Sequence, residues 1–183
     1  FIHDIDSYKV VFIDGKYSSF LSETTHDGID VCLMSAALTK SKYKIIVENY
    51  FNKVAKQDNL TSLNTAFAKE GVYIYIPKNV EVQKPIQIVN FTTGAEIATM
   101  MQPRNLIVVE ENAHVQIIER HQSLTSNPVL TNAVTEVFAA KDATVDIYKI
   151  QNDVENASLV DNCFIEQKSN SIVSVIYLMP SCI

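Results

Sequence analysis

The chain has 183 residues, 47% of them hydrophobic and 20% charged, and carries a net charge of −6. That length supports one good core, or one domain and part of another, with the composition of an ordinary globular protein. Lys and Arg are dispersed under a negative balance, which argues against a nucleic-acid binder, and no apolar run approaches the roughly 20 residues that span a bilayer.

The chain opens at Phe1 without Met and without a basic-then-apolar leader, which reads as a fragment of a longer protein. Cys32, Cys163 and Cys182 are far apart and form no C-x-x-C pair, so the expected compartment is the reduced cytoplasm. Four glycines cannot assemble a phosphate-cradling loop.

In chain order, YKVVFIDGKYSSFLS (Tyr8 to Ser22) predicts two strand-like runs around an Asp14-Gly15 turn, where both positions tolerate positive φ. From Ser35 to about Gln57, Leu38, Ile45, Ile46, Tyr50, Phe51 and Val54 approximate a helical stripe. LTSLNTAFAKEG predicts a second, short helix, with Thr61 or Ser62 as its cap and Gly71 in the left-handed position beyond its last turn.

After Gly71 the helical period vanishes. Val72, Ile74 and Ile76 alternate, Pro77-Lys78-Asn79 makes a turn, and Val80, Val82, Ile86 and Ile88 resume the beat. The pattern returns: PKNVEVQ, EENAHVQ, KDATVDI and SNSIVSV align on Val82, Val115, Val145 and Val173, at offsets of 33, 30 and 28 residues. Strand repeats of this length need neighbours to bury their apolar faces. A right-handed β-helix is the first reading, a β-sandwich the second, and an antiparallel meander the plainest.

Three phrases, SLNTAFAKEGVYIYIPKNVEVQKPIQI, QPRNLIVVEENAHVQIIE and LTNAVTEVFAAKDATVDIYKIQND, together resemble the SufB/SufD family of iron–sulfur cluster assembly proteins. The likeness runs from VVFIDGKYSSFLS to about Ile150 and weakly beyond. Its SufD branch is favoured because Glu119-Arg120-His121 stands where SufB-like chains carry Glu-Gly-Cys, and because of Leu63 to Phe67, Gly71 and Pro85-Ile86. The resemblance implies a mainly β chain: a small mixed α/β N-terminal region (1–70) before a right-handed parallel β-helix (71–183) cut short at its C-terminal end. It implies a non-catalytic scaffold subunit of a SufBCD complex. The partners implied are a SufB-like homologue that pairs with the β-helix and a SufC-like ATPase that docks on a helical C-terminal domain absent here. An iron–sulfur cluster or a flavin would belong only to the full complex.

The residues offer little chemistry of their own. Three isolated cysteines cannot supply the four ligands of a cluster, and Cys32 and Cys163 read as packing residues. In Glu119-Arg120-His121, the outer two share a strand face while Arg120 points away, which reads as a solvated end of a rung. His114 reads as outward-facing, and His3 and His26 carry no pattern. Glu110-Glu111 could suggest a polysaccharide-cleaving β-helix, but adjacent turn carboxylates diverge. A sulfur-accepting, SufB-like alternative would need a reactive thiol. Asn79, Asn112 and Asp142 fall at matching turns and are explained by their tolerance of left-handed backbone. No catalytic residue and no metal ligand is expected, and residues for a cofactor cannot be named.

Overall fold

A computed structural model describes residues 5–23, 28–56, 58–94, 98–152 and 156–179; His3, His26, Gln57 and Cys182 lie outside them. The chain is mainly β, and a parallel solenoid of about three turns forms its body. Each coil gives one strand to each of two stacked sheets. The first sheet holds β1 (Tyr8–Ile13), β2 (Lys16–Tyr17), β5 (Ile86–Thr92), β8 (His114–Ser123), β10 (Thr144–Gln151) and β12 (Ile172–Leu178), in the order β2-β1-β5-β8-β10-β12. The second runs β3 (Asp30–Leu33), β4 (Val72–Ile76), β7 (Arg104–Val109), β9 (Val129–Ala139) and β11 (Ala157–Gln167), with β6 (Thr99–Met101) beside the start of β9. Every pairing is parallel except β1–β2 and β3–β4.

The repeat read from the sequence is the register of the ladder: Val145 pairs with Val115 on one side and Val173 on the other. The corner of each coil is a left-handed residue, Asn79, Asn112, Asp142 or Asn170, with φ between 57° and 60°. Asn112 Nδ2 donates to Asn79 Oδ1 at 3.0 Å, and Asn170 Nδ2 donates to Asp142 Oδ1 at 3.1 Å, so these side chains stack along the solenoid axis. Between β4 and β5 the ladder bulges. The Glu81–His114 bridge and the Ile86–Ile117 pair leave five steps on one side facing three on the other. The excess is even, so Ile86 and Ile88 still point inward.

On either side of each corner, inward positions are branched aliphatics: Ile74, Ile76, Ile107, Val109, Val115, Ile117, Val137, Val145 and Ile147 form the dry core. The outer face of the second sheet carries Tyr73, Leu106, Val108 and Phe138, which pack under α1 (Met34–Thr39) and α2 (Ser41–Tyr50).

The helical region departs from the sequence reading in three ways. The single helix is broken at Lys40, and its buried face is Met34, Ala37, Tyr43 and Val47, while Leu38 and Ile45 are exposed. The sheet beneath, rather than the count of apolar residues, chooses the face. In α3 (Asn59–Phe67) the cap is Asp58, whose Oδ1 accepts from Thr61 N at 2.8 Å, so Thr61 and Ser62 lie inside the helix. Gly71 is not left-handed. It is glycine because a Cβ there would stand 1.8 Å from the Arg104 carbonyl oxygen. The Asp14-Gly15 hairpin is present, although β2 is only two residues long. Among the described residues no helix is long and apolar enough to cross a membrane.

Candidate functional site

Along β8 the inward side chains change character: Val115 and Ile117 give way to Glu119 and His121. The same change occurs on β5, where Asn90 follows Ile88, and on β10, where Lys149 follows Ile147. Parallel registry then sets Lys149 beside Glu119 and Asn90 beside His121. Half of the coil interior is thus apolar, and the half away from the asparagine corners is polar.

At the centre of the polar half, Lys149 Nζ lies 2.9 Å from Glu119 Oε2 and donates to Asp161 Oδ1 at 2.7 Å. Asn105 Nδ2 donates to Glu119 Oε1 at 3.2 Å, and His121 Nε2 lies 3.4 Å from that same oxygen. Burial works to raise the Glu119 pKa, but Lys149 and His121 outweigh it and hold the carboxyl well below the usual range. Burial works to lower Lys149, yet Glu119 and Asp161 hold its ammonium above its ordinary value. Asp161 is held up by burial and by the Glu119 charge, against the pull of Lys149. A cavity of about 220 Å³ adjoins the cluster, with His121, Lys149, Asp161 and Tyr177 in its wall.

The cluster is an array of buried, mutually paired charge. The Lys149 ammonium is clamped between two carboxylates. Among the described residues no three His, Cys, Asp or Glu side chains stand close enough to hold a metal ion. Burial pushes the Cys163 thiol up to about 11, although Lys149 pulls the other way. Cys32 is pushed up to about 11 by the same cause, with Lys40 opposing. In both, burial disfavours the thiolate, the form that ligates and attacks.

Glu119 and His121 do share one face, but that face is the interior, not a solvated rung end; both are buried. A coil puts a strand face indoors where a lone hairpin would leave it wet. Lys149 and Asp161 were not singled out from the sequence. The offset of 30 that aligns Val115 with Val145 also carries Glu119 onto Lys149, so half of the ion pair was readable there. His114 is outward and sits 3.3 Å from Asp146 Oδ2. Glu111 reaches the next coil's Lys78 at 3.1 Å.

A second buried pair fastens the helical region. Arg104 Nη2 stands 2.7 Å from Glu136 Oε2 on the outer face of the second sheet, and the Phe51 ring lies 5.2 Å from the guanidinium carbon. The Glu136 carboxylate accepts backbone N–H groups from Asn52, Val54 and Ala55 at 2.8–3.2 Å. Nearby, Asn64 Nδ2 donates to the Pro103 and Asn132 carbonyls.

Taken together, these features define a small class: a parallel β-solenoid with a helical flap on one sheet and a charged seam through its interior. The sequence matches two family profiles laid end to end, the SufBD protein N-terminal region over residues 1–88 and the SufBD core domain of the SUF system for FeS cluster assembly over residues 90–179. The chain belongs to the SufBD family. It is 29% identical over 154 residues to an iron–sulfur cluster assembly SufBD family protein of Synechocystis, covering 79% of this chain and 34% of that one. It is 32% identical to the iron–sulfur cluster assembly protein SufD of Bacillus subtilis over 112 residues, 58% of this chain and 25% of that one. A chloroplastic SufBD family protein of Arabidopsis thaliana is 29% identical over 78% of this chain and 26% of its own length. The chain thus spans about a third or less of these relatives.

Proposed function

We propose that this chain is the N-terminal region and first coils of a SufD-type subunit, a non-catalytic scaffold in cytoplasmic iron–sulfur cluster assembly. Its partners on this reading are a SufB-like homologue, which pairs with the solenoid, and a SufC-like ATPase, which docks on a further domain and supplies the hydrolysis. Clusters are cargo, held with any flavin by the whole complex rather than by this segment. Nucleic acid and membrane have no part in it.

The observation that carries the reading is the agreement of two neighbouring family profiles with a solenoid whose described thiols are chemically quiet. A sulfur-accepting SufB-like role calls for a cysteine with a depressed pKa in a partly open, electropositive spot. Cys32 and Cys163 are partly open and each has a lysine nearby, but burial pushes both thiols up rather than down. A polysaccharide hydrolase calls for two carboxyls free to act across a bond, whereas Glu119 and Asp161, which do face one another, share the Lys149 ammonium between them.

The test is co-expression of the full-length protein with SufB-like and SufC-like partners from the same genome. Stable co-purification of the three is expected. Failure to associate, with every component soluble and folded, would overturn the scaffold assignment.

A further inference from the structure

A cavity of about 420 Å³ lies where β1, β6 and the end of α3 meet. Phe12, Phe67, Met100, Met101 and Pro103 give it an apolar lining. Four charged residues also border it, Lys16 and Lys69 against Asp14 and Glu70, two of each sign. The wall therefore favours neither an anion nor a cation.

Two amide side chains in this wall, Asn90 at 7% exposure and Gln102 at 8%, have NH2 groups that are buried and meet no acceptor among the described residues. The orientation of Gln102 follows from its neighbours. Asn132 Nδ2 donates to the Leu60 carbonyl at 2.9 Å, and a carbonyl can only accept, so that atom of Asn132 is its NH2. The same NH2 donates to Gln102 Oε1 at 2.7 Å, which fixes the Gln102 oxygen and leaves its NH2 turned elsewhere. Glu70 supplies the complementary group: its Oε1 accepts from Ser35, while Oε2 is buried and meets no donor among the described residues. Buried polar groups in folded proteins are overwhelmingly paired. Two spare donors and one spare acceptor stand among the residues of this mixed wall, beside its apolar patch.

We propose that this cavity binds a small neutral molecule with an amide or lactam edge on a flat apolar body. Its carbonyl accepts from Asn90 and Gln102, its N–H donates to Glu70, and its body lies against Phe12 and the methionines. The volume falls within the range of small-molecule sites, and the wall combines an apolar patch with polar groups that could fix a ligand's orientation. The inference is independent of the scaffold assignment and survives or falls without it.

The full-length protein, labelled with nitrogen-15 at its Asn and Gln side chains, is titrated with 2-quinolone, a bicyclic lactam, and separately with quinoline, which keeps the bicycle without the carbonyl and N–H. The expected result is saturable movement of the Asn90 and Gln102 side-chain NH2 resonances with 2-quinolone, and at least tenfold weaker binding of quinoline. Asn90→Leu, close in volume, is expected to weaken 2-quinolone about tenfold. Equal binding of the two probes, or NH2 resonances that stay fixed at millimolar 2-quinolone, would overturn the proposal. Should Asn90→Leu not fold, the wild-type resonances and the quinoline comparison decide the question by themselves.

Discussion

Arg104 and Glu136, neighbours on parallel strands β7 and β9, form an ion pair of 2.7 Å in which neither side chain reaches solvent appreciably. Charges removed so far from water must satisfy one another, and here the carboxylate also collects three backbone N–H groups from the segment after α2. The pair is the pin that holds the helical flap to the coil.

Removing one half of that pin is expected to be severe. Arg104→Met leaves a buried carboxylate and should cost about 3–5 kcal/mol in denaturant unfolding. The double variant Arg104→Met with Glu136→Gln should recover part of that loss, because no isolated charge remains. Additive losses in the double-mutant cycle would show that the two residues act separately.

Lys149→Met tests the inner cluster through pH. Glu119 is depressed in the folded state, so it stabilises the fold above its unfolded value and that contribution fades as pH falls. Lys149 is raised, so its contribution is complete below its unfolded value and fades only as pH rises through the folded one. Asp161 is raised and opposes folding above its unfolded value, a penalty that acid relieves. Without the lysine both carboxylates become costly when ionised. The variant's deficit should be about 3–5 kcal/mol at neutral pH and shrink as the carboxyls protonate toward about pH 4. A deficit independent of pH would mean that Lys149 matters only by packing.

At the coil corners, Asn112 holds φ at 57° and bonds to Asn79. Asn112→Ala should lose about 1–2 kcal/mol for the left-handed backbone, in addition to the lost side-chain bond. Asn112→Gly loses only the latter, so the glycine variant should melt higher than the alanine one. The reverse order would remove backbone strain from the explanation.

Gly71→Ala should be among the most damaging small changes in the chain, about 3 kcal/mol or more, because the new methyl meets the Arg104 main chain rather than a yielding side chain. Thermal unfolding of the variant measures it; a shift within the spread of surface substitutions would contradict the close approach of these two segments.

The coil was legible because a parallel ladder writes its registry directly into the sequence: residues that stack must recur at the same phase after a corner, as Val115, Val145 and Val173 do. The helices were legible as helices and their buried faces only in part. Ile46, Tyr50, Phe51 and Val54 of the stripe pack on the cluster beneath, Leu38 and Ile45 do not, and α2 stops at Tyr50 rather than running on toward Gln57. That choice depends on Tyr73 and Phe138, which belong to another part of the chain. The inner charges were half legible. Glu119 and His121 were visibly on one face, but nothing local says whether a strand face is roofed by a second sheet, and Asp161 joins them from the opposite sheet with no constant spacing to reveal it. Cys32 and Cys163 were read as packing residues, and both sit against apolar clusters.

The stacked corners have a consequence for how such a chain tolerates change. Successive corner residues lie 33, 30 and 28 positions apart, yet the strands that leave them remain in step. Most of the slack is taken up away from that margin, by the bulge before β5 and by bends such as the one through the exposed Ser126. One margin acts as a ruler and the other as a hem. A peptide grafted at Ser126 would hang outside the molecule, whereas one extra residue between Pro77 and Val80 would turn a whole strand inside out.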